Sequence, residues 1–488
     1  MNPFELIGPQ LAILIGAAVI LIYDAVVPRK TQYLPWLALA SIVASAVWAV
    51  SIVVQGDYQS GFEGTYSLDK FSVFFSVVFA GIAAIVVLAS IDWIDRVGRR
   101  KSEYYALLLT ATAGLMFLAG ARDLITIFIA LELSSIPQYI LAGWGKDEKS
   151  GESGVKYLLL GAIASSLLLF GMALLYGLSG TTFLPEIATF VAENASNNRS
   201  LLILSSMLIL AGFAFKMALV PFQMWVPDVY QGAPTPVAAF LSVGSKAAAF
   251  AVVLRIFFEG LNAEILSNDW SMIFAILAAA SMTIGNIFAA AQSNIKRMLG
   301  YSSVAQAGNF AVGLAAIAVV GQEFTLAASA ILFFVVAYAF TNLAAFIAVI
   351  AISRHLESDD INSYEGIAKS APLVALALGV ALISLSGIPP SVGFWAKLYV
   401  FNAAVQADLA WLVIIAVLNS VLAAFYYLRI VRLMFRDGGD RIGSKPFSSA
   451  KPLSIGLGVT VLGVLVFGFF PTPIISVARE AAAIFSIG

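Results

Sequence analysis

The sequence predicts an all-α polytopic membrane protein. Of its 488 residues, 61% are hydrophobic and only 11% are charged, with a mean hydropathy of +0.95. Soluble domains carry about 25% charged residues. Apolar runs of about 20 residues, the length that spans a bilayer, recur along the whole chain. Lysine and arginine fall almost entirely on alternate loops.

Apolar runs punctuated by polar loops give about fourteen segments. They cover approximately residues 8–27, 34–54, 70–93, 104–119, 122–143, 154–178 and 201–220. The rest cover 235–257, 271–291, 301–320, 324–352, 372–402, 405–430 and 453–474. No loop is long enough for a separate soluble domain, so one membrane domain over 1–488 is the economical reading. The start, MNPFE, lacks the positive stretch of a signal peptide, and the first apolar run reads as a permanent helix.

Orientation follows from counting every cation. With the N-terminus outside, the inner loops hold Arg29, Lys30, Arg96, Arg99, Arg100, Lys101, Lys146 and Lys149. They also hold Lys296, Arg297, Arg354, Lys369, Arg429, Arg432, Arg436, Arg441, Lys445 and Lys451. The outer side keeps Lys70, Arg122, Arg199, Arg255 and Arg479. This bias predicts both termini outside and an even number of spans.

Composition also excludes functions. The chain has no cysteine and one histidine, His355. Iron–sulfur clusters need thiolates and protein-held haem needs a strong axial ligand, so no redox centre and no metal site is expected in this chain. A net charge of −1 provides no basic field for nucleic acid. His355 lies in an acidic loop and receives no role.

Four lysines remain inside the predicted spans: Lys156, Lys216, Lys246 and Lys397. Among the acidic residues only Glu132 sits in mid-span. A charge at bilayer centre costs about 2.5–3.5 kcal/mol on insertion scales and marks a functional site by default. Glu132 lies roughly 15 Å into its helix at about 1.5 Å per residue; the alternative is a neutral, hydrogen-bonded glutamate. Lys216 and Lys246 are too deep to snorkel easily, and Lys246 is flanked by small residues that let helices approach closely. Lys156 is only a few residues into its helix, so snorkelling to the inner interface competes with any role.

Two segments are interrupted. Pro221 follows Lys216 by five residues, and Gly387, Pro389 and Pro390 precede Lys397. Proline breaks a helix, and broken helices at membrane depth persist only in protein or beside water. Paired interruptions point to an inverted repeat with midplane sites; two unrelated proline kinks are the alternative.

The stretch AFKMALVPFQMWVPDVYQGAPTPVAAFLSVGSKAAAF, with KRMLGYSSVAQAGNF, YAFTNLAAFIAVI, GIPPSVGFWAKLYVF and ALELSSIPQYIL, resembles the antiporter-like membrane subunits of complex I (NADH-quinone oxidoreductase). Within that family it is most similar to the subunit-N branch. The resemblance implies fourteen helices with two inverted five-helix repeats, each containing a broken helix, at about 104–257 and 271–430, plus flanking helices. It implies a proton-translocating subunit of a respiratory or photosynthetic NAD(P)H- or ferredoxin-quinone oxidoreductase. Flavin, iron–sulfur clusters and quinone would then belong to partner subunits, and the chain would sit in the cell membrane or another energy-coupling membrane. By the same resemblance Glu132 pairs with Lys216 as a charge switch, Lys246 is the central relay, Lys397 the terminal one, and Lys156 tunes the pair. Gln223 stands where relatives commonly have histidine; it cannot titrate, and its expected part is to hold a water or orient Lys216. The rival reading is a subunit of a multi-subunit cation/proton antiporter, which shares the fold.

Overall fold

The computed structural model describes residues 3–27, 30–97, 100–261, 264–318, 324–436, 447 and 450–485. Arg29, Arg99, Arg441 and Lys445, counted above as inner cations, lie outside them. Among the described residues, twelve helices are long and apolar enough to cross a membrane. The fold is all-α and multi-pass; among the described residues it has one two-stranded hairpin, Gln59–Gly61 (β1) paired antiparallel to Tyr66–Leu68 (β2).

The first helices are α1 (Gly8–Val26), α2 (Leu34–Gln55), α3 (Lys70–Val97) and α4 (Lys101–Gly120). Then come α5 (Leu124–Ala142), α6 (Glu148–Ser179) and α7 (Leu184–Met217). Side-chain caps fix several starts. Asp123 accepts from the amides of Ile125 and Thr126 ahead of α5, and Asp147 from that of Ser150 ahead of α6, which satisfies donors a helix end leaves orphaned.

Helix α7 differs from expectation. Residues 184–197, read from the sequence as loop, are helical and merge with the membrane segment across a kink at Asn198 (φ −115°, ψ 15°). Leu184, Ile187, Val191 and Ala195 are buried; their three- and four-residue spacing is a helix signal that a search for continuous apolar runs passes over.

After α7 the chain runs through a short α8 (Trp225–Gly232) into α9 (Thr235–Gly260). The apolar window of α9 is 100% buried, so it forms the centre of the molecule. Its interior contains a π-helical turn, Leu241–Ser245, directly before Lys246; such turns recur at functional sites. Next are α10 (Glu264–Ala290), α11 (Ile295–Ile317) and α12 (Phe324–Leu356). Helix α11 carries a polar face and is almost entirely buried, and α12 is also strongly buried.

The run expected at 372–402 is two helices, α13 (Pro372–Ser386) and α14 (Val392–Gln406). Their close approach needs glycine: a Cβ on Gly393 would lie 2.0 Å from the Ser384 carbonyl oxygen. The chain continues through α15 (Ala410–Met434), α16 (Lys451–Phe469) and α17 (Thr472–Ala482).

Candidate proton-transfer axis

The two helix interruptions are built alike. Helix α7 stops at Met217 and Ala218 turns left-handed (φ 66°); α13 stops at Ser386 and Gly387 does the same (φ 84°). The amides of Ala218 and Gly387 donate to Phe215 and Ser384, and those of Leu219 and Ile388 reach back to Ala214 and Ile383. These are Schellman closures. Pro221 and Pro390 each stand three residues after the left-handed position, with Pro389 between Ile388 and Pro390; the peptide bonds before Pro221 and Pro390 are cis. Asp228 and Lys397 each lie ten residues after that position.

Lys216, Lys246 and Lys397 are all buried, at 5%, 2% and 6% exposure. Among the described residues, none of the three has a carboxylate at ion-pair distance. Lys216 donates to the Tyr157 hydroxyl at 3.4 Å, and its ammonium lies 5.3 Å from the ring centres of both Tyr139 and Tyr157. Lys246 donates to the Ser303 hydroxyl at 2.5 Å and to the Ser303 carbonyl, 5.4 Å from the Tyr338 ring centre. Lys397 donates to the Ser386 carbonyl at 3.0 Å and to the Ser420 hydroxyl at 3.4 Å. Every acceptor is neutral. Loss of a proton from such a buried ammonium would not require an ion pair to break.

Glu132 is half-buried and accepts from the Ser165 hydroxyl at 2.7 Å. It makes no direct ion pair with Lys216 in this structure. The two are joined indirectly: Glu132 lies two turns from Tyr139 on one stripe of α5, and the Tyr139 ring faces Lys216. Gln223 makes no hydrogen bond to Lys216; its Oε1 is buried without a protein partner.

Side chains connect the three lysines. Tyr157 stacks on Trp225 with centroids 4.5 Å apart, and Trp225 meets Tyr230 edge-on at 6.0 Å. Tyr230 and Ser303 share a hydrogen bond of 3.4 Å, and Ser303 holds Lys246. Beyond Lys246, a cavity of about 10 Å³ is lined by Tyr338, Gln306, Thr341, Ser384 and Lys397 among others. That volume is on the order of what one water needs. Tyr139, Tyr338 and Asn309 each bury an oxygen with no protein partner. An orphaned buried polar atom costs about 1–3 kcal/mol, so these positions call for ordered water along the axis.

Residues 121–423, which contain all of these groups, match the family described as "NADH:quinone oxidoreductase/Mrp antiporter, TM". The chain belongs to this family. A NADH-quinone oxidoreductase subunit N from Dehalococcoides mccartyi is 42% identical over 98% of this chain and 99% of its own length. A chain of respiratory complex I from Thermus thermophilus with bound aureothin is 29% identical at a TM-score of 0.79, covering 96% of this chain and 98% of that one. A chain of the Mrp complex from a Dietzia species, 22% identical, shares the fold at a TM-score of 0.84 over 99% and 97% of the two lengths.

Several members of this family member's polar framework were not legible from runs of hydrophobicity. Asp228 on α8 bridges Lys156 at 2.8 Å and Arg297 at 2.5 Å, while Lys156 also pairs with Glu152 at 2.6 Å. Lys156, 40% exposed at its side chain, is therefore a partnered cation in an open polar cleft, unlike the three buried lysines. Arg255, counted from the sequence as an outer-side cation, is 1% exposed. It holds Asp69 at 2.8 and 2.9 Å, Glu259 at 3.2 Å and the Ala119 carbonyl at 2.6 Å, and Glu259 also binds Arg122. This network ties the ends of α3, α4 and α9. Its position near a helix end hid its burial, because depth from the nearest loop is no measure of packing. Among the described residues, no group of three or more His, Asp or Glu could hold a metal ion.

Proposed function

We propose that this chain is the proton-translocating membrane subunit of an NADH-quinone oxidoreductase (complex I)-type assembly. Protons move along the membrane midplane through Glu132, Lys216, Lys246 and Lys397, while partner subunits hold the flavin, iron–sulfur clusters and quinone. The observation that carries this reading is the series of three buried lysines with neutral acceptors only, joined through Tyr157, Trp225, Tyr230, Ser303 and the Tyr338 cavity. The name borne by the 42% identical relative supports the same assignment. On this reading both termini face outside, fourteen helices cross the membrane, and the like-built breaks belong to inverted repeats at about 104–257 and 271–430.

In this scheme a change of charge at one lysine is felt at the next. Were Glu132 and Lys216 to close to an ion pair about 4 Å apart, they would interact by about 4 kcal/mol at an effective dielectric near 20. Lys156 acts on Lys216 from the Asp228 cleft.

The test is Lys246→Ala in the assembled complex in proteoliposomes, with quinone reduction and acidification recorded together. Quinone reduction that still pumps at the wild-type ratio would sink the relay. The family also covers Mrp antiporters; purification with native partners separates the readings, since flavin and iron–sulfur subunits travel only with an oxidoreductase.

A further inference from the structure

The outward face of α15 changes character at its end. Ile414, Leu418, Val421 and Phe425 lie in steps of four, three and four, each 63–66% exposed. The same steps continue to Arg429 and Arg432, with Arg436 two residues past the helix end, so apolar and cationic side chains form one stripe that runs to the end of α15. A cleft of about 480 Å³ opens beside the arginines, with Gln292, Ser293 and Asn362 on its wall. Arg429 is steadied by the Gln292 carbonyl at 3.2 Å. Arg436, 68% exposed, meets Glu365 at 3.5 Å, a surface contact of small worth.

We propose that this stripe binds an anionic phospholipid, with the headgroup phosphate on the arginines and the acyl chains along the apolar residues below. Guanidinium forks match phosphate oxygens in pairs, and Ser293 and Asn362 add neutral hydrogen-bonding groups to the cleft wall. Arg429 and Arg432 stand about 4.5 Å apart along the helix at 1.5 Å per residue, and Arg436 beside the same cleft makes the cluster wide enough for one or two phosphates. Basic clefts between helices at the cytoplasmic boundary suit such lipids, and the cation count places this end of α15 inside. An acidic protein segment would engage the arginines alone; the unbroken run into Phe425, Val421, Leu418 and Ile414 fits hydrocarbon.

The experiment uses the whole purified complex, stripped of loosely held lipid in detergent and supplied with dioleoyl phosphatidylglycerol. Native mass spectrometry then counts the lipid retained. The wild type is expected to keep at least one more phosphatidylglycerol than the R429Q/R432Q/R436Q variant, and to keep no phosphatidylcholine there. Inorganic phosphate at equal concentration should fail to displace it. Equal retention by wild type and variant overturns the proposal, as does displacement by inorganic phosphate at parity. Loss of a neighbouring subunit with unchanged lipid also overturns it, because the stripe is then a protein interface. If the triple variant does not assemble, R432Q alone is expected to weaken retention several-fold; unchanged retention again refutes the site.

Discussion

Lys246 and Ser303 form the tightest contact on the axis: one serine offers both its hydroxyl, at 2.5 Å, and its own carbonyl to one buried ammonium. The lysine comes from the buried middle of α9 and the serine from α11, so the contact ties the centre of α9 to the second half of the chain. Ser303 also meets Tyr230, which leads back through Trp225 and Tyr157 to Lys216. Any shift of charge on Lys246 is thus felt by a hydroxyl that faces both ways.

Ser303→Ala removes one of the two acceptors and keeps the carbonyl. A hydrogen bond to a charged group is worth about 1.5–3 kcal/mol, a factor of roughly ten to a hundred at 1.4 kcal/mol per decade. The expected result is normal assembly with proton pumping slowed at least several-fold, measured by dye quenching in proteoliposomes. Wild-type pumping would show that the carbonyl alone suffices.

Asp228→Asn tests the cleft that Lys156 and Arg297 share. The three side chains are 30–40% exposed, so each pair should contribute only about 0–1 kcal/mol after solvent screening. Thermal stability of the complex should therefore hardly change. A fall in turnover without a fall in melting temperature would assign the carboxylate to proton traffic at the cleft; loss of both together would make it a structural clasp.

How much of this was legible beforehand differs from residue to residue. Glu132, Lys216, Lys246 and Lys397 stand out because a charge amid apolar residues is visible in the chain itself, and the breaks at Pro221 and Gly387 are visible because proline and glycine announce them. Asp228 is not visible in that way. Its partners come from residues 156 and 297, and pairing across such separations depends on how helices pack. The same applies to Arg255, whose partner Asp69 is far away in sequence. Burial of 184–197 was missed for another reason: its apolar residues are spaced for a helix surface rather than for a bilayer.

Gly387→Ala addresses the second break. Gly387 is left-handed (φ 84°), and a Cβ there would sit 2.9 Å from Lys397 Cδ. Gly56 is left-handed too (φ 72°) with nothing within 4 Å. Each alanine costs about 1–2 kcal/mol of backbone preference, so stability should fall alike in both variants. Only Gly387→Ala should displace Lys397 and lower the number of protons pumped per quinone. Equal coupling in the two variants would show that the lysine accommodates the methyl group freely.

Tyr338→Phe separates function from packing most sharply. The Tyr338 hydroxyl is buried with no protein partner, and the residue lines the cavity that reaches Lys397 while its ring faces Lys246. The hydroxyl contributes no direct hydrogen bond to another protein group, so its deletion should change the stability of the fold by no more than about 1 kcal/mol. If that hydroxyl anchors a water between Lys246 and Lys397, pumping should nevertheless slow while quinone reduction in uncoupled membranes persists. Melting curves and coupled pumping rates measured on the same preparation decide the matter: a stable variant that pumps at the full rate would remove Tyr338 and its cavity from the proton path.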